Sequence, residues 1–231
     1  VLEPIFKNSL PEMLRPVSVA YDKGCDLLIN KAPGTIAKPK VLIPVFPGTN
    51  CEYDMAAAFN RYGGEAEIFV IRNLSAKNME DSVNEFAKRI ENSQMIAVPG
   101  GFSGGDEPEG SAKFINAFFR NPKIKDAVEN MLYARDGLMI GICNGFQALI
   151  KLGLVPFGKI VPLSSESPTL TYNTIGRHQS QLALTKICTN KSPWLMHCKV
   201  GEVYNIPISH GEGRFVASDE VIAKLIENGQ V

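Results

Sequence analysis

From Val41 onward, short apolar runs alternate with stretches in which apolar residues return every three or four positions. Residues 41–46, 66–71, 94–98 and 138–142 are the runs, and proline or glycine stands close to each. Runs of that length with such boundaries predict buried strands. Between them, Met79, Val83, Phe86 and Ile90 keep helical spacing and predict an amphipathic helix. Residues 54–62 form another helical stretch, closed by Gly63-Gly64. Residues 111–119 and 123–135 carry one or two more. Phe146, Leu149, Ile150 and Leu152 open a further helix directly after the fourth run. This alternation predicts βαβ units: an α/β fold with a mostly parallel sheet and helices on both faces. Ligands in such sheets bind outside the carboxyl ends of the strands. The loops 47–53 and 99–109 and the turn at Cys143 are therefore expected to lie side by side.

The second half is richer in β pattern. Residues 169–175 and 181–189 are expected to pair as a hairpin across Gly176-Arg177-His178. Residues 192–195 form a turn, 203–209 a strand, and Ser218 caps a last helix over 219–227 with Asp219 and Glu220 in its first turn. Residues 1–40 read differently. Pro4, Pro11, Pro16, Pro33 and Pro39 break any long helix, and 31–40 is a Pro/Gly/Lys-rich linker. The expected organisation is the tail of an upstream domain plus linker over 1–40 and one domain over 41–231. That domain is expected to be incomplete at its C-terminal end, with a strand starting at Val231 and the chain a piece of a longer polypeptide.

Composition narrows the function. Lys+Arg and Asp+Glu balance at 24 each, which speaks against electrostatic binding of nucleic acid or of a membrane surface. No apolar run is long enough to span a bilayer. The five cysteines, Cys25, Cys51, Cys143, Cys188 and Cys198, show neither a disulfide framework nor metal-ligand spacing, so a reducing, cytoplasmic setting and no metal site are expected.

Chemistry concentrates at Gly141-Ile142-Cys143-Asn144-Gly145. A predicted strand there turns into a helix with cysteine on the turn and glycine on either side, the thiol form of a nucleophile elbow. The blander reading is a buried structural cysteine, and a partner histidine decides between them. Of the three histidines, His197 reads as surface and His178 as part of a hairpin turn. His210 stands in His210-Gly211-Glu212-Gly213, where extended backbone puts His210 and Glu212 on one side, so that a carboxylate can orient the imidazole. Oxyanion donors are expected from the N–H of Asn144 and from Gly100-Gly101-Phe102. Cysteine, His-x-Glu and an oxyanion hole on a parallel sheet imply acyl transfer through a thioester.

Four segments stand in one order: Pro47-Gly48-Thr49-Asn50-Cys51-Glu52-Tyr53-Asp54, Gly100-Gly101-Phe102-Ser103-Gly104-Gly105-Asp106, Gly141 to Gln147, and His210 to Phe215. Together they resemble the triad-type glutamine amidotransferases, and more narrowly the glutaminase domains of phosphoribosylformylglycinamidine synthases, over residues 41–231. The resemblance implies a flavodoxin-like sheet and hydrolysis of L-glutamine to glutamate and ammonia. It gives Cys143 as nucleophile, His210 as proton carrier, Glu212 as its orienting carboxylate and the backbone near Gly101 and Asn144 as the oxyanion hole. It implies that Phe102 and Gln147 line the glutamine site, with Asn50 and Asp54 beside it. It further implies no cofactor in this domain, a synthase domain as partner, and ATP and Mg there. The loop after Asp106, Glu107-Pro108-Glu109-Gly110, departs from the shorter stand-alone subunits of that family. Two other readings are a cysteine hydrolase of a different γ-glutamyl compound and a non-catalytic docking domain.

Overall fold

The computed structural model describes residues 36–105 and 111–231, so most of the 1–40 segment, Cys25 and the loop around Glu107 lie outside the described residues. The first half runs through β1 (Lys40–Val45), β2 (Thr49–Asn50), α1 (Glu52–Arg61), β3 (Glu65–Val70), α2 (Ala76–Glu91), β4 (Met95–Val98) and β5 (Gly100–Gly101). After a tight turn at Ser103–Gly105 come α3 (Lys113–Phe119), α4 (Pro122–Glu129), β6 (Leu138–Gly141), α5 (Asn144–Leu152) and α6 (Leu154–Phe157). The helices start where local chemistry favours it. Ser75 Oγ accepts the Asn78 N–H at 3.1 Å, and Asn121 caps α4 ahead of Pro122.

Strands β3, β1, β4 and β6 form one parallel sheet in that order. Side chains alternate across it. Leu42, Ile96 and Val98 face α2, α3 and α4, where Phe46, Phe86, Phe118 and Phe119 pack largely edge-to-face. Val41, Ile43 and Ala97 face α1 through Ala56, Met55 and Phe59. Helices thus cover both faces, as the alternation predicts. The chain steps outward from β1 to β3 and returns to β4 on the other side of β1. The reversal falls between β1 and β4, where the crevice beyond the strand ends is a ligand site in open α/β sheets.

The second half holds β7 (Thr169–Thr171), β8 (Gln179–Lys186), β9 (Val203–His210), β10 (Arg214–Val216) and α7 (Asp219–Glu227). Its strand content matches expectation, but its pairing does not. The first two strands do not form a hairpin with each other. Strand β7 pairs antiparallel with β10, and β8 with β9. A turn closed by Gly176 N–H to the Asn173 carbonyl at 2.9 Å ends the first strand early and sends the chain away from it. Trp194 ties this half to the first: its indole N–H donates to the Met139 carbonyl at 3.2 Å and its ring meets Phe59 edge-on. Ser218 Oγ accepts the Val221 N–H at the start of α7.

Candidate active site

Cys143 stands between the end of β6 and the first residue of α5 with φ 52 and ψ −109. Positive φ is uncommon outside glycine and marks a backbone held by its surroundings. The surroundings here are two close approaches. A Cβ on Gly141 would come 2.5 Å from the Gly145 carbonyl group, and one on Gly145 would overlap the Val98 carbonyl. Only glycine lets α5 begin directly against the ends of β4 and β6. The thiol is consequently exposed at the sheet's carboxyl end.

The loops after β1 and β4 close around it. Strand β2 pairs with β5, Thr49 opposite Gly101 and Asn50 opposite Gly100. Phe102 N–H donates to the Gly48 carbonyl at 2.7 Å, and Gly104 N–H to the Pro47 carbonyl at 2.8 Å. The bare backbone of β5 runs beside Cys143: a Cβ on Gly100 would stand 3.3 Å from Cys143 Cβ and 4.0 Å from Sγ. Phe102 spends its N–H on this zipper and holds its ring out, 64% exposed. Gly101 has φ 116, a conformation that excludes most side chains. Asn50 Oδ1 accepts from the Cys51 thiol, and Asp54 is exposed in the first turn of α1.

Amide side chains stitch these parts to the histidine loop. Asn144, fully buried, accepts the Ser103 N–H on Oδ1 at 3.2 Å and donates from Nδ2 to Gln147 Oε1 at 2.9 Å. Gln147 Nε2 donates to the Glu212 carbonyl at 2.8 Å. The Gln147 amide is therefore a strut across the site.

His210 ends β9, and its ring lies over Gly213, where a Cβ would overlap it. Its Nδ1 pairs with Asn173 Oδ1 at 2.9 Å, not with Glu212. The side-by-side rule for residues two apart holds only in extended chain, and the strand stops at His210 before a bend at Gly211 and Glu212. Glu212 Oε2 is buried without a hydrogen-bond partner among the described residues. Asn173 was missed in the sequence because it sits in a stretch whose pattern reads as strand. Only its place shortly before Gly176 hints at a turn residue. His178 contacts Ser209 Oγ at 2.9 Å and His197 is exposed; neither is bonded to the elbow.

The profile of the CobB/CobQ-like glutamine amidotransferase domain matches residues 38–231. The chain belongs to this amidotransferase family. It is 34% identical over 191 residues to a phosphoribosylformylglycinamidine synthase subunit PurQ of Dehalococcoides mccartyi, covering 82% of the chain and 68% of the relative. It is 32% identical over 193 residues to the PurQ subunit of Methanococcus maripaludis, covering 84% and 65%. Among solved structures it resembles a chain of the PurLQS structure from Thermotoga maritima. There the TM-score is 0.57 at 28% identity, over 79% of this chain and 71% of that one. In this amidotransferase no group of three or more His, Cys, Asp or Glu residues is arranged to hold a metal ion among the described residues. No described helix is long and apolar enough to cross a membrane.

Proposed function

We propose that the chain is the glutaminase part of a phosphoribosylformylglycinamidine synthase, acting in the cytoplasm and passing ammonia to a synthase partner in purine biosynthesis. The PurQ relatives support the pathway, and the likeness to a chain of the PurLQS structure from Thermotoga maritima supports the partner. The observation that carries the chemistry is the strained Cys143 backbone with the unsubstituted Gly100 beside its thiol. Cys143 sulfur attacks the γ-carbonyl carbon of glutamine, and the oxyanion that forms is met by N–H groups of Asn144 and the Gly101 segment. His210 takes the thiol proton as the sulfur attacks and passes it to the leaving nitrogen, the C–N bond breaks, and ammonia departs from a γ-glutamyl thioester. Water, losing a proton to His210, then cleaves the thioester and returns glutamate and the free thiol. Glu212 holds the Gln147 strut through its main-chain carbonyl. Phe102 shields the glutamine side chain, while Gln147 holds the loops in place around it. No cofactor takes part in these steps; ATP and Mg act in the synthase partner.

The test is glutamate release from glutamine by the wild-type chain and by Cys143→Ala, with the synthase partner present. The variant loses at least about a thousandfold in turnover, as for a deleted nucleophile. Unchanged turnover overturns the nucleophile assignment, and faster turnover of another γ-glutamyl amide overturns the substrate.

A further inference from the structure

We infer that Asn173 is the positioning residue that fixes the tautomer of His210, a statement that rests on His210 being the proton carrier. The Asn173 side chain can be oriented in only one way. Its Nδ2 lies 3.0 Å from the Arg177 carbonyl and 2.8 Å from the His210 carbonyl, both pure acceptors. Its Oδ1 lies 3.3 Å from the Gly213 N–H, a pure donor. Turning the amide over would set carbonyl against carbonyls and NH2 against N–H. Oδ1 is therefore an acceptor, and His210 Nδ1, 2.9 Å away, must bring the proton to it. A neutral imidazole with its proton on Nδ1 carries a lone pair on Nε2. That ring nitrogen is then the one that takes and returns the catalytic proton.

The same side chain also fixes the place of the ring. Asn173 N–H donates to the Gly211 carbonyl at 2.8 Å, so its main chain and side chain together grip residues 210, 211 and 213. The ring is pinned between this clamp and the bare backbone of Gly213. Glu212, by contrast, holds Gln147 through its main-chain carbonyl and leaves Oε2 unpartnered among the described residues. The neutral amide of Asn173, and not the Glu212 carboxylate, is thus the group bonded to Nδ1.

The experiment is nitrogen-15 NMR of the histidine rings in the whole chain, with His210 assigned by its loss in His210→Gln. It is paired with steady-state kinetics in the presence of the synthase partner. Wild type shows the Nδ1–H tautomer at neutral pH. Asn173→Ala loses that preference and drops kcat by at least about tenfold, the scale of misaligned general acid–base catalysis. Its KM for glutamine stays within about twofold, because no substrate contact is removed. Glu212→Gln keeps the Nδ1–H tautomer. An Nε2–H tautomer in the wild type overturns the inference without any variant having to fold. So does a tautomer that follows Glu212→Gln and not Asn173→Ala. Neither result depends on glutamine being the substrate, so failure here is distinguishable from failure of the proposed reaction.

Discussion

Gly213 shows how little room the site leaves at single residues. Its φ is not positive, so its backbone accepts alanine, and the nearest atoms a Cβ would meet all belong to the His210 ring. Gly213→Ala is expected to lower kcat by about ten- to a hundredfold, the cost of a catalytic group moved by about 1 Å. The thermal midpoint should hardly change; a large drop in it with kcat retained contradicts the placement of the ring. The exposed turn that carries Cys143 was legible in the sequence because two glycines at fixed offsets and a switch from apolar run to helical spacing are local signals. His210 was singled out together with Glu212 by the rule for extended chain, which the bend at Gly211 and Glu212 breaks. Its hydrogen-bond partner was not, since Asn173 lies 37 positions away and reaches the ring only through tertiary structure.

At the scale of elements, the close contact of α5 with the ends of β4 and β6 sets the elbow. Gly145→Ala drives a methyl group into the Val98 carbonyl, and backbone cannot yield as a flexible side chain can. The expected loss is about 1–3 kcal/mol, typical of overpacking, measured by urea unfolding, together with loss of glutamate release. A variant as stable and active as wild type contradicts the packing described. Arg120 braces the other end of α5 by donating to the Lys151 carbonyl at 2.7 Å, and burial holds its guanidinium below the usual arginine range. Apolar runs and helical periods gave these elements within a few residues, because one buried face suffices to write the period. They did not give the partners of β7 and β8. Alternation marks a strand without saying which strand lies beside it, and a single turn at Asn173–Gly176 decided the pairing.

Across the whole molecule, Cys143 and His210 stand on different supports. Cys143 is carried by the four-stranded parallel sheet, whereas His210 closes the two-stranded β8–β9 ribbon, whose Leu182, Leu184 and Val203 are exposed. An isolated two-stranded ribbon is marginal in water, so the setting of His210 against Cys143 is the weaker half of the site. Glutamate release is therefore expected to rise several-fold when the synthase partner, ATP and formylglycinamide ribonucleotide are added, read as kcat; equal rates with and without them contradict this. A parallel sheet with its loops at the carboxyl edge follows from strand–helix alternation, so that edge could be named from the sequence; the strand order and its reversal between β1 and β4 could not. The division of Cys143 and His210 between sheet and ribbon follows from pairings between residues distant in the chain and could not. The most direct measurement is mass spectrometry of the chain quenched during turnover of glutamine, with peptide mapping of the cysteines. A glutamyl group on Cys143, lost on standing in water, is the predicted result. Glutamate release with no adduct on Cys143, or with the adduct on another cysteine, contradicts the account.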